Sequence, residues 1–277
     1  MKPPLVLKFG GELLEFSDSS RMAAVVAAVR DMALLVPVVI VHGGGKEIDA
    51  ALNAAGIEKR QVDGLRITDP ATLDIVVAVL AGAVNTRFVA ALTAAGVPAV
   101  GLTGADGACG LSETAPPHRT VDGRTVDLGR VGRPADKADM RLLETLLRDQ
   151  FVPVLASIGA DRDGRLLNVN ADTMAGHLAA KLHARRLVMA GSTPGVLDGH
   201  GKTVALLDPA AIERLVTGGT ATAGMIAKLR ACEHALASGV DDVVIVDGRD
   251  REALRAAASG AVPAAATRIV TTVGTRS

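Results

Sequence analysis

The 277-residue chain has no tryptophan and no tyrosine, and its four phenylalanines bring aromatic residues to only 1%. Single-stranded nucleic acid is gripped by stacking bases on aromatic side chains, so a nucleic-acid partner is not expected. Charge of one sign is lacking too: Lys+Arg and Asp+Glu both number 30, and the formal net charge is zero. No overall field therefore draws the chain to a polyanion or an anionic membrane. The two cysteines, Cys109 and Cys232, lack metal-ligand spacing and form no disulfide framework, which points to a reducing compartment. The longest uninterrupted apolar run, Met32 to Val41, falls far short of the roughly 18 residues a spanning helix needs. The opening stretch MKPPLVLKFGGE is too short in its apolar part for a signal peptide. A soluble, cytoplasmic protein without a membrane partner is the expectation.

The familiar catalytic signatures are missing as well. Gly201-Lys202-Thr203 looks like the end of a P-loop, but Val196 stands where the upstream glycine belongs, and Gly195 is one residue out of register. No G-x-G-x-x-G occurs. His42-Gly43-Gly44-Gly45 resembles a lipase oxyanion loop, yet no serine has the G-x-S-x-G elbow that fold requires. Dinucleotide binding of the usual kind and serine hydrolysis are both excluded. The histidines at 118, 177, 183, 200 and 234 show no ligand spacing, and no resident metal is expected. His177 and Lys181, one helical turn apart, read as a solvated face.

Short β-branched runs alternate with longer Ala-rich stretches of helical spacing. The pattern predicts strands at Leu5–Phe9, Val36–Val41, Pro98–Leu102, Val152–Ser157, Arg186–Ala190, Asp242–Val246 and Arg268–Thr272. It predicts helices at about 19–35, 47–55, 70–95, 137–149, 171–184, 209–217, 225–238 and 252–258. Asp122-Gly123 and Asp163-Gly164 mark hairpin turns. This β–α–β order implies an α/β fold, a three-layer αβα sandwich around an open, mostly parallel sheet. A change in loop chemistry near residue 185 suggests two lobes, 1–185 and 186–277.

Ligands of such sheets bind beyond the carboxyl ends of the strands. Glycines mark three of those ends: Lys8-Phe9-Gly10-Gly11, His42-Gly43-Gly44-Gly45 and Gly101-Leu102-Thr103-Gly104. Glycine lets backbone N–H groups approach an anion, and a following helix N-terminus adds a favourable dipole. Each could equally be a plain strand-to-helix turn. Asn168-Val169-Asn170-Ala171-Asp172 opens a helix, where Asn170 or Asp172 could simply be a cap. Lys228, in Gly224-Met225-Ile226-Ala227-Lys228, could be a surface lysine. Arg66 could clamp a carboxylate with two parallel hydrogen bonds or lie along the surface.

Together these segments, with Gly64-Leu65-Arg66-Ile67-Thr68, Leu80-Ala81-Gly82, Val84-Asn85 and Pro194-Gly195-Val196-Leu197-Asp198, resemble the amino-acid kinase family. The likeness is strongest to its branch acting on N-acetyl-L-glutamate, and the matches follow the family order from residue 8 to 228. The resemblance implies ATP-dependent phosphorylation of the γ-carboxylate of N-acetyl-L-glutamate, a step toward arginine. Lobe 1–185 would hold the acylated amino acid, and lobe 186–277 would hold ATP with Mg2+. Lys8 and Lys228 would neutralise the transferred phosphoryl group and the leaving phosphate. Asp172 would hold both lysines, and N–H groups at Gly11 and Gly44 would bind the phosphoryl oxygens. Gly44, Gly45, Arg66 and Asn168 would receive the substrate. Ser192, Thr193, Gly195, Val196, Leu197, Thr220 and Thr222 would line the nucleotide site together with Lys8 and Lys228.

Gly191-Ser192, Ala223 and Ala266 depart from the family pattern, chiefly on the nucleotide side. The chain begins at its first strand, where arginine-inhibited members carry a further helix. The implied assembly is therefore a homodimer, paired through the helix at about 70–95, without arginine feedback. Rival readings are a carboxylate kinase for carrier-linked aminoadipate or glutamate and a non-catalytic regulatory member. The neutral charge and intact Lys8, Asp172 and Lys228 argue against them. Because a γ-carboxylate is ionised at neutral pH, such a transfer needs positioning and charge stabilisation but no general base.

Overall fold

Strand alternation decides which side chains meet at the centre. In β1 (Leu5–Phe9), Leu5, Leu7 and Phe9 enter one core while Val6 enters the other. Lys8 shares the side of Val6, since successive residues of a strand point to opposite faces. The same two-sided pattern in β2 (Val38–His42) puts Val38 and Ile40 on one side and Val39 and Val41 on the other. Strands apolar on both faces must be covered by helices on both, as in parallel sheets generally.

The computed structural model describes residues 2–15, 18–120, 122–218 and 223–271. After β1 and β2 come β3 (Gln61–Val62), β4 (Leu65–Arg66), β5 (Ala99–Thr103), β6 (Ser112–Thr114), β7 (His118–Arg119), β8 (Thr125–Val126) and β9 (Val131–Pro134). The rest are β10 (Val152–Ala156), β11 (Ile158–Ala160), β12 (Leu166–Val169), β13 (Arg186–Gly191), β14 (Leu206–Leu207), β15 (Val243–Asp247) and β16 (Thr267–Ile269). The helices are α1 (Ser19–Ala33), α2 (Gly45–Ala54), α3 (Pro70–Val77), α4 (Asn85–Ala94), α5 (Arg141–Arg148), α6 (Ala171–Lys181), α7 (Pro209–Thr217), α8 (Ala223–Ala237) and α9 (Arg251–Ser259).

Eight strands form one sheet in the order β14-β16-β15-β13-β1-β2-β10-β5, parallel at every junction except β15–β16. Helices α1, α4 and α9 cover one face, and α5, α6, α7 and α8 cover the other. β1 and β2 lie at the centre, so their glycine-bearing ends stand side by side. A four-stranded sheet, β11-β12-β9-β6, and two small hairpins, β3–β4 and β7–β8, rise beside that end.

Some predicted bounds shift. The helix expected from Lys137 begins at Arg141, and the last strand covers Thr267–Ile269 and runs antiparallel to β15. The stretch 70–94 is helical throughout but passes through a π segment at Ala78–Val84. With 25 residues and a window of mean hydropathy 2.0, it is the one helix among the described residues long and apolar enough to cross a membrane. Reading only uninterrupted apolar runs overlooked it. Leu73, Val76, Leu80, Val84, Phe88 and Leu92 recur at helical spacing and are buried, which accounts for part of that apolarity, since 39% of the window is buried. His177 also departs from expectation: only 7% exposed, it is no part of a solvated face.

Candidate active site

β1 and β2 pair in parallel with Phe9 opposite His42, so both glycine turns leave the sheet at the same level. They touch through their backbones: a Cβ on Gly11 would lie 2.7 Å from the Gly44 Cα and 2.9 Å from its nitrogen. A Cβ on Gly44 would meet Leu80 Cδ2 at 2.8 Å and Val84 Cγ2 at 3.3 Å, both from the π segment. Glycine is required at these two positions by close approach. Gly44 also caps α2 without a side-chain hydrogen bond, which places the positive end of that helix at the glycine turn. A Cβ on Gly45 would meet nothing within 4 Å.

Beneath the turns lie three charged side chains. Lys8 Nζ is 2.8 Å and Lys228 Nζ 3.2 Å from the same Asp172 oxygen, Oδ1. The side chains of Lys8, Asp172 and Lys228 are only 9%, 10% and 14% exposed. Asn170 makes the arrangement possible, because its Oδ1 caps α6 by accepting the Asp172 and Thr173 N–H groups at 2.9 and 3.1 Å. Asp172 is thereby released from capping. Burial alone would raise its pKa, but the charges of Lys8 and Lys228 overcome this and hold it at about 2. Burial lowers the Lys8 pKa despite Asp172, whereas for Lys228 the attraction of Asp172 outweighs burial and raises it. Two ammonium groups share one carboxylate in a nearly dry site, and Glu12 adds only a weaker attraction to each. An anion would complete it.

Arg66, on the β3–β4 hairpin, donates through Nη2 to Asp49 of α2, and Lys59 holds the other Asp49 oxygen at 2.6 Å. Its side chain is 9% exposed, and Nη1 is buried with no hydrogen-bond partner among the described residues. A guanidinium fixed at one end and unpaired at the other suits a ligand carboxylate. Asn168 on β12 donates to Thr68 Oγ1 at 3.1 Å, which ties it to the segment that follows β4. Neither the Arg66–Asp49 nor the Asn168–Thr68 contact was legible from sequence, since the partners are 17 and 100 residues away.

His42 and Asn85 form a second network missed by sequence reasoning. Asn85 Nδ2 contacts Val154 O at 2.9 Å and His42 Nε2 at 3.0 Å, while His42 Nδ1 lies 3.0 Å from Gly43 O. Both contacts are satisfied when the ring proton sits on Nδ1. Burial outweighs the Gly43 carbonyl and pushes the His42 pKa down to about 4, so the ring is neutral. The histidine buttresses the glycine turn from within the core.

On the other side of Lys8, β13 ends at Gly191, and the loop after it carries Ser192 and Thr193 at the cleft edge. Glu12 lies near this edge: a Cβ on Gly10 would come within 2.3 Å of its carboxylate, and one on Gly191 within 3.5 Å. Gly195 is packed so that a Cβ would strike Thr267 Oγ1 at 2.5 Å. Val196 is buried: its N–H donates to Thr267 Oγ1 and its carbonyl accepts from the Val204 N–H, each at 2.8 Å. Leu197 bridges to Thr203 and is 37% exposed. Val196 thus shapes the loop from inside rather than lining open space. Thr220 and Thr222 lie outside the described residues. No group of three or more His, Cys, Asp or Glu side chains among the described residues is placed to hold a metal ion.

The profile of the Amino acid kinase family matches residues 3–247. The chain is 40% identical over 257 residues to the acetylglutamate kinase of Novosphingobium aromaticivorans, covering 88% of this chain and 83% of that one. It is likewise 40% identical over 255 residues to the acetylglutamate kinase of Brucella abortus, with the same coverage of 88% and 83%. Among solved structures, N-acetylglutamate synthase from Neisseria gonorrhoeae, complexed with coenzyme A and N-acetyl-glutamate, aligns with a TM-score of 0.80 and 25% identity. That alignment covers 98% of this chain and 60% of the longer synthase. By sequence and by fold, the chain belongs to the amino acid kinase family.

Proposed function

We propose that the chain transfers the γ-phosphoryl group of ATP to the side-chain carboxylate of N-acetyl-L-glutamate, giving an acyl phosphate and ADP. The observation that carries this reading is the pair of buried lysines sharing Asp172 Oδ1 beneath two abutting glycine turns. Phosphoryl transfer asks a protein for positioned charge and N–H donors more than for covalent chemistry. The relatives at 40% identity carry the matching name.

In this reading the unpaired Nη1 of Arg66, with Asn168, grips the substrate's α-carboxylate and leaves its γ-carboxylate at the Gly44 turn. That carboxylate is ionised at neutral pH, so no residue has to remove a proton from it. Backbone N–H groups of Gly11 and Gly44 receive the equatorial oxygens. Lys8 and Lys228 offset negative charge on the transferred group and on the departing ADP, and Asp172 keeps both ammonium groups in place. Magnesium bound with the nucleotide would neutralise phosphate charge. With no cluster of protein ligands for it among the described residues, phosphates and water would supply most of its shell. Ser192, Thr193 and the Gly195 loop form the nucleotide's edge of the cleft. The lobes 1–185 and 186–277 meet on one continuous sheet and would close on the two substrates from either side.

We further propose a cytoplasmic homodimer serving arginine synthesis. β5 is an edge strand, and Ala81, Val89 and Leu102 line a shallow hollow of about 390 Å³ where it meets α4. A second copy pairing there would cover the apolar outer side of the long helix.

The test is incubation with MgATP, hydroxylamine and N-acetylglutamate, and separately with glutamate, aspartate and N-acetyl-aminoadipate. Hydroxamate, formed by trapping an acyl phosphate, is expected with N-acetylglutamate alone. A folded protein that yields none with any of the four would overturn the assignment.

A further inference from the structure

On the α6–α8 face, away from the glycine turns, the β6–β9 strands, the β11–β12 turn and the two helices enclose a second cleft of about 600 Å³. Arg133, Lys137 and Arg162 line it together with His177 and His234. Two carboxylates, Glu113 and Asp136, also border it, but each is already engaged. Glu113 pairs with Arg133 at 3.4 Å, and Asp136 with Lys181 at 3.7 Å from a fully exposed position. Lys137 and Arg162 have no ion-pair partner among the described residues. In a chain of zero net charge, this is a local cationic excess.

The second observation is His177. It is 7% exposed, it lines this cleft, and its Nε2 is buried without a hydrogen-bond partner among the described residues. A buried polar atom left unsatisfied costs free energy that a ligand can recover. His177 stands five positions beyond Asp172 on α6, and His234 stands six beyond Lys228 on α8. The cleft therefore lies beside the two helices that carry Asp172 and Lys228. α6 belongs to residues 1–185 and α8 to residues 186–277.

We propose that this cleft is a binding site for a small oxyanion, held by Arg162, Lys137 and the two imidazoles. The anion is a phosphate or a small dicarboxylate, which share the recognition chemistry of two or more oxygens facing guanidinium, ammonium and ring N–H donors. Bound there, it joins one helix from each half of the chain and stiffens the seam that positions Asp172 against Lys228. The proposal does not rest on the reaction proposed above.

The imidazole Cε1–H resonances, followed by NMR, test it on the intact chain. Inorganic phosphate, succinate and chloride are titrated in parallel at matched ionic strength, with peaks assigned through His177→Gln and His234→Gln. Saturable movement of the His177 and His234 peaks is expected with phosphate or succinate and not with chloride. Which of the two acts names the class of anion. The double variant Lys137→Ala/Arg162→Ala removes two exposed side chains and should weaken binding about tenfold or more. If His177→Gln fails to fold, the His234 peak is scored alone, since that residue is exposed. The proposal is overturned if neither anion moves these peaks beyond chloride, or if the movement survives unchanged in the double variant. His42, beside the glycine turns, separates the two sites: movement of its peak alone reports anion binding at the active-site cleft.

Discussion

On the side of the cleft proposed for the substrate, each charged group is fixed by a partner from a different element, whereas on the side proposed for the nucleotide the loop largely fixes itself. Lys8 of β1 and Lys228 of α8 meet on Asp172 of α6, and Arg66 of the hairpin is held by Asp49 of α2. In the loop after β13, Asp198 Oδ1 accepts from the His200 and Lys202 N–H groups at 2.9 Å, and Leu197 bridges to Thr203. The first region sits over the middle of the sheet, where packing from both faces leaves one arrangement. The second sits toward its β15–β16 side, where Thr267 provides the main tie to the sheet. Cross-element fixation should make the first region set the rate of transfer, and a self-contained loop should set nucleotide affinity.

The largest effects should come from the lysines. Lys8→Ala and Lys228→Ala are each expected to lower kcat by about 10²–10³-fold, the usual scale for losing one group that stabilises transition-state charge. Circular dichroism should show that both still fold. Next comes a pair of glycine variants. Gly11→Ala drives a methyl into the Gly44 backbone and should lower turnover by up to about 10²-fold, while Gly45→Ala meets no protein atom within 4 Å and should cost much less. Equal losses in the two would refute the backbone contact between the turns.

Arg66→Ala should raise the KM for N-acetylglutamate by about 10–100-fold and alter kcat and the KM for ATP little, as loss of a charge-assisted carboxylate contact would. Ser192→Ala, on the other side of the cleft, should change the KM for ATP by no more than about threefold. A reversed pattern, with Ser192 governing the acylated substrate, would undo the comparison between the two sides.

Acid should weaken the fold. Burial holds His42 near pKa 4, and burial with Lys181 and His234, against Asp136, does the same for His177. The unfolded chain therefore binds more protons than the folded one between about pH 6.5 and 4, and stability falls as pH drops through that window. The Asp172 pKa near 2 adds a further loss below about pH 4, as its carboxylate becomes protonated. Thermal melts from pH 7 to 5 should show a declining Tm, with a shallower slope in His177→Gln. A flat profile would contradict the neutral, buried state of both rings.

Much of the sheet was legible because parallel strands apolar on both faces, such as Val38–His42, have few alternatives. The charged triad was legible only through the order of its motifs. Nothing local to Lys228 distinguishes it from a surface lysine, and its burial depends on α6 arriving from 56 residues earlier. Asn170 explains why Asp172 is available, a division of labour that two capping-competent residues in one turn leave open. The contacts of Asp49 with Arg66, Thr68 with Asn168 and His42 with Asn85 were invisible because each joins segments distant in the chain, and hydrogen bonds between such segments leave no periodic trace. The π segment escaped detection for a related reason: its one-residue widening changes hydrogen bonding but not apolar spacing.

The central claim is that the buried lysine pair acts on the phosphoryl group during its transfer. Single-turnover hydroxamate formation, with ATP and N-acetylglutamate both saturating, tests it most directly in wild type, Lys8→Ala and Lys228→Ala. A deficit of about 10²–10³-fold that persists at saturation in each variant is the predicted result. Rates within about twofold of wild type once both substrates are bound would contradict it, leaving the lysines with a role in binding alone.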